Sequence, residues 1–148
     1  MATNSVAISG SVETRSFAEG AVVVLGRFLF ALIFLMVVPN HFSSQTIAFA
    51  ASQGVPLASI AVPLSGVLSG AGGLSILLGY RAKLGAWLIV LFLVPVTLMM
   101  HKFWTVQDPM MAQIQMILFM KNVAMLGAAL LISQFGAGPF SLDARRSR

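Results

Sequence analysis

The sequence predicts an all-α fold, a four-helix transmembrane bundle with its N and C termini cytoplasmic, on three observations. Hydrophobic residues make up 58% of the chain and charged residues only 9%. A soluble domain carries about 25% charged residues, and a water-facing surface cannot be built from so few. Four apolar runs each reach the roughly 20 residues that a helix needs to cross about 30 Å of hydrocarbon. The basic residues gather at alternate ends of these runs, which sets orientation and accounts for the net charge of +5 without a nucleic-acid partner.

Residues 1–20, beginning "MATNSVAISGSVETRSFA", read as a flexible cytoplasmic N-terminal segment in preference to a short surface helix. Span one is Ala21–Val38, "AVVVLGRFLFALIFLMVV", stopped by Pro39-Asn40. The connection 39–56 contains no Lys or Arg, so it faces the exterior. Within it, 42–54 reads equally as a short interfacial helix or a plain loop. Its "AFA" at 48–50 has the form of a signal-cleavage site but lies some ten residues beyond the apolar run, so span one is retained. Span two is Leu57–Tyr80, and only Arg81-Ala82 separates it from span three, Lys83–Met100, which forces a tight antiparallel hairpin. Span four is Gln113–Phe135, and residues 136–148 form a basic cytoplasmic tail ending in Arg145, Arg146 and Arg148. The transmembrane domain is therefore 21–135. Helices are the spanning form, because the runs do not alternate in polarity and each must satisfy its own backbone in lipid.

Span two carries Ser65, Gly66, Ser69, Gly70, Gly72 and Gly73. Small residues at four-residue spacing let helices approach closely in lipid. Packing inside the bundle is the first reading; a dimer face or a wall for a flat ligand is the second. Pro63 and Pro95 stand inside spans two and three and are expected to bend them. Tyr80 and Trp87 fit an inner aromatic belt and Trp104 an outer one.

The costly residues are cations. Arg27 lies about seven residues into span one, roughly 10 Å deep, and Lys121 about eight residues into span four, roughly 12 Å deep. A charge at the bilayer centre costs about 2.5–3.5 kcal/mol on insertion scales. Arg27 is placed to snorkel to the nearer headgroups; Lys121 is not. The four acids, Glu13, Glu19, Asp108 and Asp143, all stand in tails or loops. Glu19 is the nearest acid in sequence to Arg27, and Asp108 to Lys121; otherwise Lys121 is neutral and hydrogen-bonded to carbonyls and Asn122, or the cations look to partners outside the chain. His41 and His101 fall at the outer surface, with Met36, Met99, Met100, Met110 and Met111 at the same level. A bis-histidine haem or a copper site is the sharp reading there. Hydrogen-bonding histidines and packing methionines are the preferred one. The chain has no cysteine, which excludes disulfides, thiol catalysis and thiolate metal sites. No phosphate loop, dinucleotide fingerprint, zinc motif or nucleophile elbow is present.

Taken in order, "LGRFLFALIFL", "GVP", "GGLSILLGYRAKLGAW", "HKFW", "FMKNVAMLGAALLI" and "GAGPFSLD" resemble the DoxX family of small four-span bacterial membrane proteins over about residues 21–143. The resemblance implies residence in the bacterial inner membrane and a cofactor-binding role for Arg27, His101, Trp104, Lys121 and Asn122. It also implies an accessory role in a membrane complex, with a redox link. Ser69 stands where many members of that family carry Glu. From these residues the expected partners are the lipid bilayer and other membrane subunits or a second copy. Two alternatives stand beside the accessory role: a quinone-linked subunit using Lys121, Asn122, His101 and Trp104, and a small-molecule or lipid transporter.

Overall fold

The computed structural model describes residues 3–146, with side chains from Phe17 onward; Arg148 and the side chains of Glu13 and Arg15 lie outside it. Helix α1 runs Thr3–Val37 and passes through a 3₁₀ turn, Val38–Phe42, that contains Pro39. Its 35 residues extend about 52 Å at 1.5 Å per residue, well beyond the bilayer core. The apolar part, including the turn, is Phe17–Phe42. Helix α2, Ser44–Ser52, settles the reading of the 42–54 connection in favour of a helix. Ser43 caps it, its Oγ accepting from the Thr46 amide at 3.2 Å.

Helix α3 spans Ala58–Leu78 and α4 spans Ala82–Met100, with Pro63 and Pro95 inside them. Gly79 closes α3 at φ 63°, a left-handed conformation that glycine enters without a Cβ penalty. A 3₁₀ turn, Phe103–Thr105, follows α4. Helix α5, Pro109–Phe135, begins four residues before the expected boundary. Asp108 caps it, accepting from the Met111 amide at 2.8 Å, and Pro109 occupies the first turn where its missing N–H costs nothing. A short α6, Leu142–Arg146, completes the described chain.

α1 packs on α3, α3 on α4, and α4 on α5, so α1 and α5 are the outer members of the row. The core is built from Phe34, Ile76, Ala86, Ile89, Phe92, Leu93 and Ala129. The ring of Phe34 meets that of Phe92 edge-on at 6.1 Å, joining α1 to α4. The glycines of α3 are used within the chain. A Cβ on Gly66 would meet His41 at 2.6 Å, one on Gly70 would meet Val38 at 3.1 Å, and one on Gly73 would meet Leu35 and Phe34 at 3.3 Å. Gly72 faces α4 instead, where a Cβ would lie 2.8 Å from the Gly85 carbonyl. Many of the other large apolar side chains, among them Leu29, Leu64, Leu91 and Leu131, are exposed, as the lipid phase of a four-span protein requires.

Candidate functional site

Polar chemistry concentrates at the two ends of the row. One end, the tail end, holds the Gly79–Arg81 hairpin and residues 136–146. The other, the mouth, holds the 3₁₀ turns, α2 and the start of α5.

At the tail end Arg27 is buried rather than snorkelling, with 6% of its surface exposed. Its Nη1 donates to the Ala137 carbonyl at 2.8 Å and its Nη2 to the Phe140 carbonyl at 2.7 Å. Nε is buried without a partner among the described residues. The cation thus draws on backbone acceptors of the segment after α5, where sequence reasoning looked for Glu19 or a partner outside the chain. The same segment reaches the hairpin. Asp143 accepts from the amides of Arg81 at 2.7 Å and Ala82 at 3.0 Å, and its own amide donates to the Gly79 carbonyl at 2.8 Å. Arg81 sits at φ 48°, a left-handed conformation that costs a non-glycine residue about 1–2 kcal/mol. The carboxylate, placed on the positive end of α4, offsets that cost. Tyr80 lies alongside, with the guanidinium of Arg146 at 5.3 Å and of Arg81 at 5.8 Å from its ring. A hydrogen bond with Arg146, and then the positive charges of Arg81 and Arg146, hold its hydroxyl below the usual tyrosine range.

At the mouth, a cavity of about 430 Å³ opens between α3 and α4 under α2. His41 and His101 both line it, with Thr46 and Ser65 as the other polar groups. His41 Nδ1 lies 2.9 Å from the Val37 carbonyl, and His101 Nδ1 lies 2.8 Å from Gln115 Oε1. Both of those oxygens only accept, so each Nδ1 carries the proton and donates. Outside the lining, Lys102 Nζ donates to the Gln53 carbonyl at the end of α2 at 2.8 Å. Sequence reasoning missed Gln115, Lys102 and Asp143. Gln115 had a signal: Gln115, Asn122 and Ala129 recur every seven residues on the face of α5 turned to α4.

The five residues singled out from sequence are not gathered into one place. Arg27 belongs to the tail end, and His101 lines the mouth cavity, which Trp104, Lys121 and Asn122 do not. Trp104 is exposed and packs edge-on against Phe103 and Phe119, at 5.1 and 5.9 Å, as an interfacial anchor does. Asn122 is buried, at 5% exposure. Lys121 is exposed halfway along α5 and no described residue pairs with it; Asp108, its nearest acid in sequence, is occupied as the α5 cap. No cluster of three or more His, Cys, Asp or Glu residues occurs among the described residues.

Comparison with known proteins decides the family. The model of the SURF4 family matches residues 7–148. The chain belongs to the SURF4 family. Its resemblance to the DoxX family is thereby corrected. The fragments that carried it are short, apolar and glycine-punctuated, which is what close-packed helices in lipid demand of any small four-span bundle. The redox link rested on that resemblance alone. A relative of this SURF4-family chain is the inner membrane protein YphA of Escherichia coli (strain K12), 28% identical over 130 residues, covering 86% of this chain and 92% of the relative. No solved structure matches. The chain is a multi-pass integral membrane protein with four helices long and apolar enough to span.

Proposed function

We propose that this protein is an accessory subunit that docks on another membrane protein through α5, with Lys121 pairing to a carboxylate on the partner's helix. The observation that carries the reading is the exposed, unpaired Lys121 at mid-helix. It lies twelve residues after Pro109 and fourteen before Phe135, about 18 Å along the axis from the nearer end, which is remote from headgroup phosphates. An exposed ammonium at that depth is costly unless it is paired. A second copy of the chain is a poor partner, because all four acids stand outside the spans or at their ends. The surface beside Lys121 also suits a helix. Ala124, Gly127 and Ala128 follow it, and a Cβ on Gly127 would meet nothing within 4 Å. That missing side chain is not used for packing within the chain, and small residues are what admit a neighbouring helix in lipid.

The test places a photo-crosslinking residue at Ile117 or Ala124 in the full chain in native membranes. The expected product joins it to a different membrane protein, at a segment bearing Asp or Glu. Lys121→Met, which keeps the length of the side chain and removes its charge, should lower the yield at least tenfold with the protein still folded. Crosslinks to lipid or to a second copy only, or a yield indifferent to Lys121→Met, would overturn the reading.

A further inference from the structure

We propose that the mouth cavity is a binding site for a neutral, mainly apolar molecule bearing a hydroxyl, whose O–H donates to Nε2 of His41 or His101. The argument is independent of the α5 face. It begins with what the cavity can offer. Both imidazoles have spent their one N–H inward, on Val37 and Gln115, so each neutral ring retains an acceptor at Nε2 and no donor. The Ser65 hydroxyl is spent as well, donating to the Val62 carbonyl at 2.7 Å. Thr46 Oγ1 accepts from Ser43 at 2.8 Å. Thr46 keeps its own hydroxyl hydrogen, but the two imidazoles present lone pairs only, and a ligand bonded to either ring has to supply the hydrogen. A molecule with carbonyl or ether oxygens alone would set acceptor against acceptor at both rings.

The rest of the lining selects against charge. Val62, Val96, Met99 and Met100 form the walls with Phe49 of α2 above them, and no Asp, Glu, Lys or Arg lines the cavity. A charged ligand would be desolvated there without a counter-charge. The volume of about 430 Å³ lies within the range of small-molecule pockets, which are mostly apolar with a few placed polar groups. Each imidazole is also held from behind. Val37 and Gln115 fix the rings through Nδ1, and Phe92 meets the His41 ring edge-on at 5.7 Å. Such support fixes the tautomer and aims the second nitrogen. The site's position at the mouth, between α2 and the spanning helices, admits a molecule dissolved in the outer part of the bilayer.

The experiment uses the full chain in nanodiscs with ¹⁵N-labelled histidine, which the two-histidine sequence makes assignable. The probe is 4-butylphenol; the control is 4-butylanisole, which has the same body but a methyl in place of the donor hydrogen. The expected result is an unprotonated Nε2 on both rings before addition. Saturable phenol binding should then move at least one Nε2 resonance, and the anisole should bind about tenfold more weakly, the order of one hydrogen bond. Ala61→Leu, which fills the cavity without touching either ring, should abolish the shifts and leave the free-protein histidine spectrum in place. Equal binding of phenol and anisole, or Nε2 resonances that ignore the phenol, would sink the proposal. So would a proton found on Nε2 in the free protein. If Ala61→Leu fails to fold, the phenol–anisole comparison decides alone.

Discussion

At the scale of single residues, Arg27 is held by the far end of the chain. Two charge-assisted bonds to the Ala137 and Phe140 carbonyls are each worth about 1.5–3 kcal/mol. Arg27→Leu should therefore destabilise the protein by about 3 kcal/mol or more, read as a lowered unfolding temperature in detergent. Residues 136–146 should become cleavable by protease before the helices melt. Unchanged stability and an unchanged cleavage pattern would contradict the clasp. That an arginine about 10 Å into lipid must snorkel or find a partner was legible in the sequence. The partner was not. It is a pair of backbone carbonyls 110 and 113 residues away, and carbonyls leave no mark on a sequence. Asp143 was hidden for a related reason: its role is to receive the amides of a helix whose first residue is Ala82, a long-range cap outside the usual local spacing.

Elements were more legible than residues. Each spanning helix follows from an uninterrupted apolar run, because lipid leaves the backbone no partner but itself. The largest difference is at the N-terminal segment, expected to be flexible, where α1 begins at Thr3; elsewhere caps decide, as Asp108 with Pro109 started α5 early and Ser43 turned an ambiguous connection into α2. The small-residue stripe of α3 was read first as packing, and its glycines do face α1, the following 3₁₀ turn and α4. Where α3 crosses α4, backbone approaches backbone. A Cβ on Gly72 would lie 2.8 Å from the Gly85 carbonyl and 2.9 Å from Ile89, and one on Gly85 would lie 2.6 Å from the Cβ of Ser75. Gly72→Val should cost about 1–3 kcal/mol by overpacking. Gly70→Ala should cost far less, since only the Val38 side chain has to give. Thermal unfolding of the two variants side by side checks the order; equal loss would mean that backbone approach is not what limits this contact.

For the whole molecule, four spans place both ends of the described chain on one side of the membrane. Arg81, Lys83, Arg145 and Arg146 gather at that end, and Lys102 stands at the mouth. By the positive-inside rule the tail end is expected to face the cytoplasm. The absence of cysteine makes the check direct: a cysteine at Ser44 or Gln107 should react with an impermeant maleimide on intact cells, and one at Ser147 only after lysis. The reverse pattern would invert the orientation. Function was the least legible level, because a four-helix bundle constrains lipid packing and leaves activity to local sites. Lys121 stood out in the sequence as a lone charge, whereas the mouth cavity depends on Gln115 and α2 meeting residues distant in the chain. The tail-end clasp also has a consequence in time. Arg27 enters the bilayer more than a hundred residues before Ala137 and Phe140 are synthesised. During translation its guanidinium must wait near the headgroups or within the insertion machinery. The first helix can be clasped at its final depth only once the segment after α5 has emerged, so that step of biogenesis follows the synthesis of all four spans.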